Sequence, residues 1–153
     1  MRLHQLHIPR TGGTALAHAL SPYQWIQRDG HPFRLSMLGP DDLAITIVRD
    51  PVARYQSAVA WAARHPDEPT DEVFRPQSWW LDGDLSRLLW VGRTETLDED
   101  AEHLFLMLGI EATLPVAGPE RNASPEPHPP MSPEAEAFIR VHYAEDYSLL
   151  SAI

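Results

Sequence analysis

The sequence predicts an α/β fold, a parallel sheet flanked by helices, in a single domain over residues 1–153. Three observations carry this. Leu43-Ala44-Ile45-Thr46-Ile47-Val48 is a continuous apolar run rich in β-branched residues, the pattern of a strand buried on both faces of a parallel sheet. The opening segment passes from an apolar strand (Leu3, Leu6, Ile8) through a Gly-rich turn into a helical pattern with Leu16, Ala17 and Leu20 on one face. Strand and helix patterns alternate through the first two thirds of the chain, as a layered α/β sheet requires.

Between these landmarks, Tyr23-Gln24-Trp25-Ile26 reads as a short strand and Asp29-Gly30-His31-Pro32 as a turn. After the buried strand, Asp50 is placed to cap a helix and Pro51 to occupy its first position. That helix is predicted to run to about Arg64, with Val52, Tyr55 and Val59 along one face. Residues 65–78 break every period and read as an irregular loop suited to a lid. Trp79-Trp80-Leu81 and a turn at Asp82-Gly83-Asp84 lead to a strand over Leu88–Val91. Thr96 and Glu99 form a capping-box pattern ahead of a helix carrying Leu97, Ala101, Leu104, Phe105 and Leu108, and Gly109 ends it. Residues 115–133 are Pro-rich and predict extended coil. Ser132-Pro133 opens a final helix with Ala135, Phe138, Ile139 and His142 on one face, followed by Tyr143 to Tyr147 and an apolar tail.

Composition narrows the function. Cysteine is absent, which excludes disulfides, thiolate catalysis and Cys-based metal sites. The histidines show no metal-ligand spacing. No apolar run approaches the roughly 20 residues that cross a bilayer, and Met1-Arg2-Leu3-His4 opens no apolar leader, so the expectation is a cytoplasmic protein with no membrane contact. Charge is uneven: residues 1–64 hold seven Arg against four acids, and residues 65–153 hold five Arg against eighteen acids. The basic half carries the Gly-rich turn, as an anionic ligand there would require. The acidic half argues against DNA, RNA or another long polyanion as partner.

The chemistry concentrates in two segments. In His7-Ile8-Pro9-Arg10-Thr11-Gly12-Gly13-Thr14, the two glycines allow positive φ and close backbone approach to an anion. Unpaired N–H groups at a helix start, the hydroxyls of Thr11 and Thr14 and the Arg10 fork add donors suited to phosphate or sulfate. A Walker A loop is a different pattern, G-x-x-x-x-G-K-[ST]. The second segment is Val48-Arg49-Asp50-Pro51, followed by Arg54 and Ser57. Arg49 falls at the C-terminal end of the buried strand, where open α/β sheets bind ligands, and Ser57 lies about two turns into the next helix.

The P-[KR]-T-G-G-T form of the first loop resembles the 5′-phosphosulfate loop of sulfotransferases that use 3′-phosphoadenosine 5′-phosphosulfate (PAPS). Arg-Asp-Pro with a following Arg and Ser is similar to the 3′-phosphate element of the carbohydrate and heparan sulfate types of that family. Val91-Gly92-Arg93-Thr94-Glu95, Asn122 and the terminal Tyr143-x-x-Asp146-Tyr147 resemble further segments in the family's order, from residue 4 to about 150. The resemblance implies a three-layer, P-loop NTPase-like sulfotransferase fold. It implies PAPS as cofactor with no metal, Arg10, Thr11, Gly12, Gly13 and Thr14 on the 5′ phosphosulfate, and Arg49 and Ser57 on the 3′ phosphate. The reaction implied is in-line transfer of a sulfuryl group to a hydroxyl or amine of a small or carbohydrate-like acceptor.

Arg10 departs from the family, which has Lys there; all twelve basic residues of this chain are Arg. An arginine keeps the charge but does not readily give up a proton. His31 is the first choice for the acceptor's base, since a neutral imidazole takes a proton near pH 7. Glu95 is second, with a salt bridge to Arg93 or Arg49 as its other reading. Arg93 either reaches the cofactor or pairs with nearby acids. His7 is expected to pack under the loop. Trp79 and Trp80 are read as core or as stacking surfaces for the acceptor. Only about twenty residues separate the first helix from the buried strand, which predicts a small or open acceptor site that a second copy of the chain, in a homodimer, would complete. Two alternatives stand: a catalytically weak protein that senses PAPS or its bisphosphate product (PAP), and a nucleotide kinase with an atypical phosphate loop.

Overall fold

The structure is a computed structural model that describes residues 1–123 and 127–153. Four strands, β1 (Leu3–Leu6), β2 (Ile26–Asp29), β3 (Leu43–Val48) and β4 (Leu88–Arg93), form one sheet in the order β2-β1-β3-β4, every pair parallel. The helices are α1 (Gly13–Ala19), α2 (Pro51–Arg64), α3 (Asp71–Phe74), α4 (Gln77–Trp80), α5 (Leu97–Leu108), α6 (Pro133–His142) and α7 (Ala144–Ala152). Among the described residues no helix is long and apolar enough to cross a membrane.

Strand periodicity sends alternate residues of β1 and β3 to opposite faces of the sheet, and both faces are covered. Ile45 and Ile47 pack with Leu16 of α1, with Leu20 just after it, and with Leu104 and Phe105 of α5. Ala44 and Val48 pack on the other face with Trp80, Leu81 and Leu150. A helix-flanked, all-parallel sheet is thus what the apolar run at 43–48 predicted. Buried His4 lies between two carboxylates, Nδ1 at 2.8 Å from Asp29 and Nε2 at 3.3 Å from Asp42, tying β1 to the end of β2 and the start of β3.

Several elements differ from expectation. The second strand begins where Tyr23–Ile26 was predicted to end, because the polar stretch Gln27-Arg28-Asp29 is tolerated on an edge strand. The capping box does not form. Thr96 makes no side-chain cap bond and instead donates to Asp100 at 2.8 Å, while Gly109, at φ 65°, closes the helix as predicted. The apolar tail is the helix α7. On α6 Ile139 is buried but Phe138 faces out, and on α2 the inner face carries Arg54, Ser57 and Ala58 in place of Val59. Asp50 does cap α2, accepting from the Ala53 N–H at 2.9 Å.

The predicted irregular loop at 65–78 ends in α3 and α4. Fully buried Gln77 is held from two sides. Its N–H and that of Ser78 donate to the Asp146 carboxylate at 2.9 and 2.8 Å. Its side-chain amide exchanges two hydrogen bonds with the backbone of Arg49, accepting from N–H at 2.9 Å and donating to C=O at 2.8 Å. The second half of this stretch is therefore a support for Arg49 rather than a lid. The Pro-rich stretch has neither helix nor strand over 115–123 and 127–132; its residues 124–126 lie outside the described residues.

Candidate functional site

The chain leaves β1 toward β2 on one side, and β3 lies on the other, so a crevice opens beyond the C-terminal ends of these neighbouring strands. The Gly-rich loop fills one side of it. Arg10 and Gly12 adopt left-handed backbone at φ 65° and 97°. Gly12 is required twice over, since a Cβ there would also lie 2.7 Å from Leu97. At Gly13 a Cβ would come within 2.3 Å of the His7 ring, so the missing side chain lets His7 pack beneath the loop, as the sequence suggested. Buried Gln5 anchors the turn, its amide donating to the Gly13 carbonyl at 2.8 Å. Buried Arg54 anchors the other end, Nε donating to Pro9 C=O at 2.9 Å and a terminal nitrogen to Arg75 C=O at 2.8 Å.

Arg10, Gly12, Gly13, Thr14, Arg49 and Ser57 line one cavity of about 310 Å³, joined by Thr94, Arg121, Asn122 and His128. Six of the eight predicted cofactor residues thus meet at one place. Arg10 Nε donates to Ser57 Oγ at 3.0 Å, and Arg49 donates to the Arg10 carbonyl at 3.3 Å. Asn122 donates to the Thr14 hydroxyl at 3.3 Å. Among the described residues neither Arg10 nor Arg49 stands within ion-pairing distance of a carboxylate. Burial pushes both guanidiniums below their ordinary range, with Arg64 and Arg49 adding to the effect at Arg10, while Glu95 and Asp50 oppose it at Arg49. Charge held this way, partly desolvated and with no counter-ion among the described residues, is stabilised by an incoming anion. Helix α1 has only seven residues, so the two guanidiniums rather than a long helix dipole dominate the field.

Two predicted cofactor residues lie elsewhere. The Thr11 hydroxyl turns inward to the Ile8 carbonyl at 2.8 Å and the residue is fully buried, so it does not line the cavity. Arg93 points toward α7, donating to Leu150 C=O at 2.9 Å, because β4 ends beside the C-terminal helix. Glu95 is on that side too. Its carboxylate accepts from Asp50 N–H at 2.9 Å, and with Arg93, Tyr147 and Leu150 it borders a separate hollow. Neither expected ion pair of Glu95, with Arg93 or with Arg49, forms among the described residues. The neighbour between them, Thr94, is the residue of that segment at the cradle, its hydroxyl bonded to the Thr11 and Val48 carbonyls.

His31 sits beyond the loop against His7, ring centres 4.7 Å apart, and Trp80 at 5.3 Å, with Nδ1 3.9 Å from Glu72. It lines a second cavity of about 530 Å³ that shares His7, Arg10, Thr14 and Asn122 with the first. Burial lowers the His31 pKa, opposed by Glu72 and reinforced by Arg54, so its ring is neutral at pH 7. Burial, His31 and Arg10 lower His7 further, to about 4. Trp80 is core, and the Trp79 ring carries the guanidiniums of Arg34 and Arg75 at 4.2 and 4.3 Å. The tryptophan facing the second cavity is Trp61, which nothing in its local sequence marks out. Gln77 also escaped sequence reasoning, and Arg54, noted there only as part of the second segment, was given no anchoring role, since each acts through partners distant in the chain.

No family model, no curated protein and no solved structure matches this chain.

Proposed function

We propose that the protein is a PAPS-dependent sulfotransferase of the P-loop-like sulfotransferase fold, acting on a small hydroxyl or amine acceptor. The observation that carries this reading is the pair of guanidiniums, Arg10 and Arg49, with no carboxylate partner among the described residues, gathered with Ser57, Thr14 and the Gly12-Gly13 backbone around one crevice at the strand ends. The donor set fits the group. Arg forks match phosphate oxygens in pairs, and the glycines permit close backbone approach. Bound there, PAPS would supply an activated sulfuryl group.

This chain's residues would do the rest. Arg49 and Ser57 hold the 3′ phosphate, and Arg10 with the loop N–H groups holds the 5′ end, where charge grows on the leaving oxygen as the S–O bond breaks. The neutral His31 ring takes the proton of the acceptor hydroxyl as its oxygen bonds to sulfur. His7 and Gly13, packed on one another, set the floor between donor and acceptor. Incubation with ³⁵S-labelled PAPS and a panel of hydroxyl and amine compounds tests the proposal: label transfer that His31→Gln and Arg10→Ala each slow at least about a hundredfold is expected, and no transfer to any acceptor overturns it.

A second reading draws on one observation. Arg10 replaces a residue that could give a proton to the leaving oxygen, which favours a protein that binds PAPS or PAP without rapid turnover. Bisphosphate binding with no label transfer would select it.

A further inference from the structure

Part of the cradle's wall comes from the Pro-rich segment, where Arg121, Asn122, Pro127 and His128 line the same cavity as Arg10 and Arg49. Of these four, His128 is the residue whose charge can change near neutral pH. Prolines on both sides, Pro127 and Pro129, keep it in extended chain. One bond fixes where that chain lies: the Gln56 amide of α2 donates to the Pro129 carbonyl at 3.0 Å, and Gln56 directly precedes Ser57. His128 is thereby tethered at the Ser57 end of the cavity, and Arg49 is the charged neighbour that acts on it most strongly.

The charges around this ring come from several elements, and among the described residues no carboxylate lines the cavity. Arg10 lies on the Gly-rich loop, Arg49 at the end of β3 and Arg64 in the last turn of α2. Burial and then Arg49, Arg10 and Arg64 push the His128 pKa below its ordinary value. His7, the other imidazole of the cavity, is also neutral at pH 7, and Arg121 is paired with Asp98 at 2.8 Å. A ring held neutral by surrounding cations reverses its preference once a phosphate dianion stands among them. We propose that His128 is a third ligand of the 3′ phosphate, beside Arg49 and Ser57, and that one proton moves from solvent to its ring as the phosphate enters. Protonation turns both ring nitrogens into donors and makes the bond to phosphate charge-assisted. A 5′ monophosphate leaves that end of the cradle without an anion and gives the ring no reason to take up a proton.

The inference rests on the bisphosphate reading of the cradle, and its test keeps the two apart. The ring signal of His128, identified as the imidazole resonance missing from His128→Gln, is followed by NMR from pH 6 to pH 8. Samples are the free protein and the protein with 3′,5′-adenosine bisphosphate, 5′-adenosine monophosphate or inorganic pyrophosphate. The bisphosphate should raise the midpoint of that signal by about one pH unit, and the monophosphate should leave it in place. A group protonated on binding adds affinity below its free midpoint, and the gain is lost as pH rises through the bound one. Calorimetry should therefore find native protein binding the bisphosphate about fivefold more tightly than His128→Gln at pH 6, and nearly equally at pH 8. His128→Arg, charged at every pH, should keep the tighter binding at pH 8. A midpoint that bound bisphosphate leaves unmoved, an equal shift with the monophosphate, or an affinity ratio independent of pH overturns the inference. If the bisphosphate fails to bind, pyrophosphate decides: a raised midpoint keeps His128 as an anion ligand and sinks the nucleotide reading alone, and an unmoved one sinks both.

Discussion

Arg10 Nε lies 3.0 Å from the Ser57 hydroxyl to which it donates, joining the Gly-rich loop after β1 to the second turn of α2. The resemblance assigned these residues to opposite ends of one nucleotide, and in the structure they are hydrogen-bonded to each other. Bisphosphate binding must exchange this bond for bonds to phosphate. Ser57→Ala should therefore lower affinity for 3′,5′-adenosine bisphosphate by about three- to tenfold, the range of one hydrogen bond, and leave 5′-adenosine monophosphate affinity unchanged. Calorimetry on both nucleotides separates the outcomes; an equal loss for both would place Ser57 away from the 3′ phosphate.

Arg10 is predicted to matter more for turnover than for binding. Its charge stands where the leaving oxygen becomes negative, and loss of one such donor costs about 10²- to 10³-fold in rate. Arg10→Ala should lose that much kcat while bisphosphate affinity falls far less. Arg10→Lys restores a proton donor and should recover rate, at the expense of the Ser57 contact. A rate for Arg10→Lys below that of Arg10→Ala would contradict this role.

If His31 is the base, the acid limb of the kcat/KM profile lies below pH 6.5, because burial lowers its pKa and keeps the ring unprotonated. His31→Gln should cut kcat by about 10²- to 10⁴-fold and abolish that limb. Bisphosphate affinity should not change, since His31 lines the second cavity alone. A limb retained in His31→Gln points to a different base.

Much of this was legible because the deciding interactions are local. The strand at 43–48 and the helix from Pro51 to Arg64 have the bounds that the apolar run, the Asp50 cap and Pro51 suggested. The loop glycines and Arg49 declared themselves by residue type and by place at a strand end. What stayed hidden depends on distant partners. Gln77 is fixed by Asp146, 69 residues away, so the stretch around it reads as loop. Arg54 looks like a surface residue of an amphipathic helix, yet it is buried because two backbone carbonyls from other elements receive it. Arg93 and Glu95 were drawn toward the site by motif alone, and α7, unrecognised as a helix, is what they meet instead.

His7 couples the loop to pH. It is half-buried and held neutral, with a pKa near 4, against 6.5 when unfolded. Between those values the unfolded chain binds the extra proton, so stability falls as pH drops through that window, by on the order of 3 kcal/mol in full. Urea titrations from pH 7 to pH 4 should show this decline, and His7→Asn should flatten it. An unchanged slope in His7→Asn would mean that the imidazole is not held neutral.

The central claim, a nucleotide bisphosphate cradle built on Arg49 and Arg10, is tested most directly by calorimetric titration with 3′,5′-adenosine bisphosphate, alongside ATP, on the native chain and on Arg49→Ala. We expect bisphosphate binding in the micromolar range, little ATP binding, and at least about a tenfold loss in Arg49→Ala, the cost of removing a charged hydrogen-bond donor. No bisphosphate binding, or binding that Arg49→Ala leaves intact, would contradict it.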